Sequence, residues 1–472
     1  MKSNHQQDLL ALLDHSLELH EDRAEIKDPA RLRATIHRLA EVSVLESGER
    51  QALARYITRL AALAHGAFPA SIQGLYMARG RGEVPPTFTV PAMNLRALSF
   101  DAARAVFRAA KAIDAGAFIF EIARSEMSYT DQRPSEYATN ILAAAIAEDF
   151  TGPVFIQGDH FQVSAKRFTT DEESETQALQ DLIRESIQAG FYNIDIDAST
   201  LVDISRPTEQ EQQTLNTRLT AMFTGVIREL EPQGVTISTG GEIGEVGKQN
   251  STPAELRAFM DGYNADLKRV APDVTGLSKI SIQTGTSHGG IVLPDGTIKE
   301  VQVDFDTLRQ LSRIARDEYG LGGAVQHGAS TLPESAFGKF VEAEALEVHL
   351  ATNFMNMLYD RLPDGLRDEI YAHLDEKHGS ERKPGQTDIE FYYKVRKNAI
   401  GAFKTKMWNL APEKREEIGQ AWEEQFSRLF DLLGLKGTRN YVAQTVQAAP
   451  ILPSRRDYLG EAIVEDVSDL AD

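Results

Sequence analysis

The chain has 472 residues, of which 42% are hydrophobic and 25% are charged, an ordinary composition for a soluble globular protein. Lys and Arg number 50 against 70 Asp and Glu, and the formal net charge of −20 argues against binding to nucleic-acid phosphates. Cysteine is absent, so disulfides, thiolate ligands and thiol catalysis are excluded. The chain starts without a secretory signal and contains no membrane-length apolar run, so we expect a cytoplasmic protein.

Residues 1–80 predict a helical N-terminal extension. Leucines near the start are followed by polar–apolar periodicity through residues 31–65, which is typical of amphipathic helices. These leucines are Leu9, Leu10, Leu12, Leu13, Leu17 and Leu19. We interpret the segment as a packing or oligomerisation extension, and the loop-like residues 80–86 mark its boundary.

Strand-like apolar runs alternate with helical stretches over residues 81–360. The predicted strands are residues 87–92, 117–123, 153–158, 192–197, 235–240, 279–285, 323–327 and 346–351. The predicted helices are residues 99–116, 171–190, 211–230, 252–268, 305–319 and 332–345. Parallel strands need such crossovers, so the segment predicts an α/β fold, namely a (β/α)8 TIM barrel that carries the active site. An open doubly wound sheet is the alternative.

The rest of the chain is predicted to lie outside the barrel. Residues 361–445 predict three charged helices, at 366–379, 388–410 and 411–435. Residues 446–472 form an acidic, proline-containing tail, which we expect to be a peripheral arm or disordered.

Three histidines stand where predicted strands end. His160 follows the third strand, His288 the sixth and His327 the seventh. The carboxyl ends of parallel strands share one mouth of a barrel, so these side chains should converge. One such histidine is more often a hydrogen-bonded structural residue. Three at equivalent positions, with an open coordination position, are the ligand set of a catalytic divalent metal.

Other polar residues stand at the same strand ends. Asp159 precedes His160, and beside a metal-bound imidazole a carboxylate is placed to act as an acid/base. Asp197 ends the fourth strand, although it could equally cap a following helix. Glycines beside the histidines would let backbone N–H groups approach an anion, although they also suit ordinary turns. These are Gly289, Gly290 and Gly328.

A series of motifs follows the predicted strands in order. They are FTVPAMN (88–94), VFIQGDH (154–160), GFYNIDIDAST (190–200), GEIGEVG (241–247), GTSHGG (285–290), QHGAST (326–331) and LEVHLATN (346–353). FYYKVRK (391–397) follows on a predicted helix. In this order and spacing, residues 86–360, and more weakly 380–430, resemble the class II, metal-dependent fructose-bisphosphate aldolases and their ketose-bisphosphate aldolase relatives.

The resemblance implies roles for these residues. His160, His288 and His327 would hold the metal, usually zinc, and Asp159 would handle the hydroxyl of the aldehyde half. Glu242 matches a glutamate near the metal that can also ligate it. A ketose phosphate, with a monovalent cation (Na⁺ or K⁺) nearby, would bind at a further set of positions. These are Gly289, Gly290, Gly328, Ser330 and Thr352, together with the strand-end residues Asn94 and Asp197. Arg396 would reach a second phosphate, in its own or a neighbouring subunit.

The chain departs from the family pattern around the ketose pocket. The acidic loop after the fifth strand reads Lys248-Gln249-Asn250, which leaves the ketose-side proton transfer unassigned, with Glu245 as a substitute. The asparagine and aspartate at the eighth strand are His349 and Asn353, and a serine after the second strand is Ala123.

We therefore predict a class II aldolase, a lyase of carbohydrate metabolism such as glycolysis. It would cleave or form a C–C bond in fructose 1,6-bisphosphate or a related ketose phosphate through a metal-stabilised enediolate, without a lysine Schiff base. The alternatives are a non-catalytic accessory subunit, resembling that of tagatose-bisphosphate aldolase, and another metal-dependent barrel lyase or hydrolase. We expect a homodimer or homotetramer with no nucleic-acid or membrane partner.

Overall fold

The computed structural model describes residues 4–244, 249–285, 293–294, 297 and 302–459. The strands are β1 (Leu17–His20), β2 (Arg23–Ile26), β3 (Ala67–Ala70), β4 (Val90–Asn94), β5 (Ile119–Ala123), β6 (Gly152–Gln162), β7 (Asn193–Asp197), β8 (Ser238–Glu242), β9 (Lys279–Ile282), β10 (Ala324–Gln326) and β11 (Glu347–Leu350). The helices are α1 (Asn4–Leu12), α2 (Pro29–Thr35), α3 (His37–Leu45), α4 (Gly48–His65), α5 (Gln73–Gly80), α6 (Ser99–Ala112), α7 (Arg124–Tyr129), α8 (Pro134–Ala147), α9 (Ala165–Thr170), α10 (Glu172–Ala189), α11 (Glu209–Leu230), α12 (Pro253–Val270), α13 (Phe305–Tyr319), α14 (Phe337–Glu342), α15 (Thr352–Tyr359), α16 (Asp364–His378), α17 (Asp388–Val395), α18 (Ile400–Trp408), α19 (Pro412–Leu432), α20 (Arg439–Thr445) and α21 (Arg455–Leu459).

Strands β4 to β11 form a closed parallel barrel in chain order. Each strand pairs with the next, and β11 pairs back with β4, where Val348 lies opposite Pro91. Every residue of β4, β5, β7, β9 and β11 is buried. This is expected where the barrel interior covers one face of a strand and helices cover the other. The predicted (β/α)8 barrel is confirmed, and the open sheet is excluded.

The helices around the barrel follow the predicted crossovers closely. Helix α10 begins after Asp171, whose side chain accepts the Ser174 N–H at 3.0 Å, and it ends at Gly190 in the left-handed conformation. Helices α6, α11, α12 and α13 also occupy predicted stretches. Sequence analysis missed α8, because this alanine-rich helix is buried nearly all round and lacks the polar face that periodicity detects.

The N-terminal segment contains short strands among its helices, so the helical prediction for residues 1–80 is wrong in part. Leu17 lies in β1, whose residues alternate between buried and exposed as it pairs with β2 in a hairpin. Strand β3 pairs with the first half of β6, up to Ala70 opposite Phe155. Strand β6 pairs with β7 only from Gln157 onward. Strand β3 therefore fills the gap between these two strands at the amino-terminal end of the barrel.

The C-terminal helices pack against the barrel helices and extend over its mouth. Helix α19 lies against α6 and α15, and the Trp422 indole N–H donates to the Phe354 carbonyl at 3.0 Å. The helix predicted over residues 388–410 is interrupted, because α17 ends at Val395 and a 3₁₀ turn spans Arg396–Ala399 before α18. None of the described helices is long and apolar enough to cross a lipid bilayer.

Candidate active site

A cavity of about 730 Å³ opens at the carboxyl-terminal end of the barrel. Strand ends form its floor, and residues 383–397, which we call the roof segment, lie above it. The cavity is lined by Asn94, Arg96, Glu121, Ala123, Glu126, Asp159, His160, His327, Gly328, Ser330, His349, Ala351, Thr352, Met355, Lys383, Pro384, Gly385, Gln386, Glu390, Tyr393, Lys394 and Lys397. Barrel enzymes place their chemistry at this end.

Asp159 and His160 lie on a distortion of β6. On a regular strand, consecutive side chains point to opposite faces, so these two residues would not meet in one cavity. The pairing of β6 with β7 shifts between Gly158 and Phe161, and His160 has a φ of 39°. A bulge of this kind re-aims side chains at a strand end. Gly158 is needed there, because a Cβ would lie 2.3 Å from the Phe161 ring.

His160 is oriented by a carboxylate from the neighbouring strand. Its Nδ1 lies 3.2 Å from Asp197 Oδ2, which also accepts the Gln162 side-chain N–H at 2.7 Å. The other oxygen of Asp197 accepts the Ser199 N–H and O–H at 3.0 and 2.7 Å. Burial alone would raise the pKa of Asp197, but these bonds, led by that of His160, lower it to about 2. A carboxylate at Nδ1 leaves Nε2 of His160 as the atom that would ligate a metal.

His327 and Glu242 complete a group of possible ligands with His160. The rings of His160 and His327 lie 4.2 Å apart, and Glu242 Oε2 lies 4.0 and 3.7 Å from their Nδ1 atoms. One donor atom from each residue falls within 4.8 Å of the others. Burial, followed by the charges of His349 and His160, lowers the pKa of His327 well below its ordinary value.

The electrostatics of this group also suit a cation. Burial raises the pKa of Glu242 to about 8, so its carboxyl would hold a negative charge at neutral pH only with more positive charge beside it. Two imidazoles and a partly buried carboxyl are a donor set that zinc and similar divalent ions accept. The described residues therefore fit a divalent metal.

Asp159 lies between all three histidines of the described cavity. Its Oδ1 is 3.8 Å from His160 Nε2, 3.5 Å from His327 Nε2 and 3.1 Å from His349 Nδ1. Burial alone would raise the pKa of Asp159, but His160 and His349 hold it well below its usual range. Asp159 is therefore a carboxylate, and a carboxylate can accept a proton from a bound hydroxyl.

Comparison with known proteins identifies the family. The family model of the class-II fructose-bisphosphate aldolases matches residues 86–415, well over half of the chain. The chain belongs to this family. No curated protein matches it.

Solved structures are similar to this chain at low sequence identity. A fructuronate-tagaturonate epimerase of Cohnella laeviribosi is 14% identical, with a TM-score of 0.55 over 92% of this chain and 100% of its own. A probable tagatose 6-phosphate kinase of Sinorhizobium meliloti is 14% identical, with a TM-score of 0.50 over 79% and 96%. A fructose-bisphosphate aldolase of Campylobacter jejuni is 14% identical, with a TM-score of 0.47 over 79% and 97%.

Several predicted substrate-binding residues line the cavity. Asn94, Gly328, Ser330 and Thr352 do so, and the Thr352 N–H donates to Ser330 Oγ at 3.1 Å. Asp197 faces His160 and does not line the cavity, so its position suits the orientation of that imidazole better than substrate binding.

Some predicted residues lie outside the described part of the chain. These are Glu245, His288, Gly289 and Gly290, whose roles stay predictions.

Two buried residues of the cavity, His349 and Glu121, were not assigned from the sequence. His349 Nδ1 lies 3.0 Å from Glu121 Oε2, and the His349 ring is 4.0 Å from that of His327. Each residue is a polar side chain within an otherwise apolar run, Glu121 in FIFEIA and His349 in LEVHLA. A polar residue within such a run was the signal in the sequence that could have identified them. His349 was noted only as a replacement for an asparagine.

Arg396, the predicted phosphate ligand, lies beside the cavity but does not line it. Its guanidinium packs over the rings of Tyr393 and Tyr359, at 4.5 and 5.1 Å, and donates to Asn356. The next residue, Lys397, does line the cavity. The other cations of the lining are Arg96, Lys383 and Lys394. The positive charge that lines the cavity therefore comes from these four side chains.

The lowered pKa of Lys397 predicts that substrate binding depends on pH. Burial, followed by the charge of Arg96, lowers its pKa to about 8. The lysine is charged below that pH and neutral above it, so we expect the KM for an anionic substrate to rise as pH increases through about 8. Lys397→Met should raise KM at neutral pH and abolish the pH step. Steady-state kinetics on both sides of that pH test this, with Lys394→Met as a control that should keep the step.

Proposed function

We propose that this aldolase catalyses the metal-dependent cleavage and formation of a C–C bond in a phosphorylated ketose. The observation that carries the proposal is the position of Asp159, buried within 3.8 Å of ring nitrogens of both His160 and His327. A proton acceptor beside a pair of possible metal ligands is what aldol cleavage requires. The cations of the cavity lining support an anionic substrate.

We assign a role in this reaction to each of several residues of the cavity. Lys397 and Arg96 bind and orient the anionic group of the ketose, and the roof segment limits water in the cavity. Asp159 takes the proton from the hydroxyl whose carbon becomes the aldehyde, and returns it during condensation. His160, His327 and His288 would hold a divalent metal, for which we propose Zn²⁺, and the bound metal would supply Lewis-acid chemistry at the ketose carbonyl.

Metal removal tests this proposal directly. EDTA should abolish cleavage of the ketose phosphate, and Zn²⁺, Co²⁺ or Mn²⁺ should restore it, because the donor set suits all three ions. The assay uses the purified protein alone with a panel that includes fructose 1,6-bisphosphate, tagatose 1,6-bisphosphate and ketose monophosphates. Aldehyde release is followed by a coupled dehydrogenase. An accessory subunit would show no turnover in this assay.

Two further results would contradict the metal-dependent route. One is undiminished turnover in a His160→Ala/His327→Ala double variant. The other is inactivation by borohydride in the presence of substrate, with the label on Lys397, since this would reveal a lysine Schiff base.

A second candidate function is epimerisation of an anionic ketose by cleavage and re-formation of the same bond. The match to the Cohnella laeviribosi epimerase over 92% of this chain favours it, since that match extends beyond the family segment. A cavity covered by the roof segment would also retain the aldehyde half. NMR of the product mixture separates the two functions, because an epimerase yields a new ketose epimer without free aldehyde.

A further inference from the structure

A layer of charged and polar side chains fills the barrel directly below the cavity. Lys279, from β9, is fully buried, and its Nζ lies 2.9 Å from Asp195 Oδ2, 2.6 Å from Glu347 Oε1 and 2.8 Å from Gln157 Oε1. Gln157 in turn donates to both Glu121 and Glu347 at 3.1 Å. Barrel interiors are normally filled by branched apolar side chains, so this layer needs a reason.

Glu347 links this layer to the cavity through His349. Its Oε1 accepts from Lys279 and lies 2.6 Å from His349 Nε2, and its other oxygen accepts the buried Tyr76 hydroxyl. Four donors from four different elements, the Gln157 amide among them, therefore fix the Glu347 carboxylate in place. His349 is held by this carboxylate from below, while its ring faces the cavity.

The other ring nitrogen of His349 faces the proposed acid/base. Nδ1 lies 3.1 Å from Asp159 Oδ1 and 3.0 Å from Glu121 Oε2. Ionised carboxylate oxygens accept hydrogen bonds and do not donate them. Both ring nitrogens of His349 therefore lie within 3.1 Å of carboxylate oxygens, Nε2 beside Glu347 and Nδ1 beside Asp159. A histidine that donates from both nitrogens has no lone pair left for a metal.

We propose that His349 is a positioning residue that holds the Asp159 carboxylate in place, anchored by Glu347 and Lys279, and that it is not a metal ligand. Distance alone would allow the opposite, because Asp159, His327 and His349 form a second group whose donor atoms lie within 4.8 Å of one another. The proposal rests on the proposed function, in which Asp159 is the proton acceptor. It gives the charged barrel interior a role, namely to fix a catalytic carboxylate from below.

The metal-ligand half of the proposal is tested by Co²⁺ substitution. The visible spectrum of bound Co²⁺ reports its ligands and needs no substrate. We expect His349→Ala and His349→Asn to keep the wild-type spectrum and a full complement of Co²⁺, whereas His327→Ala should change the spectrum and weaken binding. His5→Ala, at an exposed histidine of α1, is the control for histidine removal. A changed spectrum in both His349 variants would overturn the proposal.

The positioning half is tested by kinetics on the ketose phosphate that the wild type cleaves. We expect His349→Ala to lower kcat by about 10–100-fold, the usual effect of a residue that orients a functional group, with little change in KM. Added imidazole should restore part of kcat by occupying the vacated space. An unchanged kcat, or a loss wholly in KM, would overturn the proposal.

The design allows for a variant that does not fold and for a wild type that shows no activity. His349→Asn retains one side-chain donor, so it covers the case in which His349→Ala does not fold. A wild-type protein that cleaves no ketose phosphate would contradict the proposed function and not this one, since the Co²⁺ comparison decides separately whether His349 is a ligand.

Discussion

Replacing Asp159 by asparagine should lower kcat for ketose cleavage by about 10²–10⁴-fold, the usual contribution of a general acid/base. Asparagine keeps the shape of the side chain and can still accept a hydrogen bond from His349, but it cannot take the proton of the substrate hydroxyl. Because the pKa of Asp159 is held well below its usual range, the wild-type side chain stays an ionised carboxylate throughout the neutral range. We therefore expect the loss to persist at every pH at which the enzyme is stable.

The control for this variant is Glu390→Gln. Glu390 lies in the lining of the same cavity, in the roof segment, where it accepts the Thr387 N–H at 2.8 Å as part of a helix cap. Its neutralisation removes a carboxylate from the cavity without touching the proton path, so kcat should change little. Equal losses in the two variants would show that Asp159 acts through the general charge of the cavity and not as the proton acceptor. Metal analysis of Asp159→Asn, expected to be unchanged, excludes loss of metal as the cause.

The sequence was sufficient for the barrel and for the core of the candidate site. Apolar runs of strand length alternate with amphipathic helices, and parallel strands separated by helices close into few topologies. Once the barrel is assumed, strand ends must converge, and Asp159, His160, Glu242 and His327 do lie together. Chain position places His327 and Glu242 at this mouth, whereas Asp159 and His160 both reach it only through the distortion of β6, which the period of the strand does not predict.

The residues that sequence analysis missed depend on contacts between distant strands. Lys279, Asp195 and Glu347 come from three strands far apart in the chain, and their pairing inside the barrel leaves no periodic signal in any one of them. Each looks like an isolated charge in an apolar run, which sequence reasoning treats as an exception.

The position of Arg396 could not be predicted for a different reason, which is that local helix geometry decides which side chain faces the cavity. Consecutive residues of a helix differ by about 100° in direction, so a motif that is off by one residue presents another side chain to the cavity. Here α17 ends at Val395 and a 3₁₀ turn follows, which changes that direction again. Lys397 consequently reaches the cavity, and Arg396 packs between tyrosines.

The second large effect is on stability, and it concerns the ion pair that holds the end of β6. Arg124 Nη1 lies 2.6 Å from Glu175 Oε1, and both side chains are 1% exposed. The same guanidinium donates to the Gln162 carbonyl at 2.6 Å, and Glu175 accepts the Ser164 N–H at 2.8 Å. The pair therefore fixes the backbone just after the distortion that carries Asp159 and His160.

Arg124→Met should lower the free energy of unfolding by about 3–5 kcal/mol, because it leaves the Glu175 carboxylate buried without its counter-charge. Denaturant unfolding measures this, and the double variant Arg124→Met/Glu175→Leu should recover much of the loss, since it removes both buried charges. Arg257→Met is the matched control. Its pair with Glu318 has similar distances, 2.8 and 2.6 Å, but both side chains are more than 40% exposed. An exposed pair contributes at most about 1 kcal/mol, so equal losses in the two single variants would contradict the role of burial.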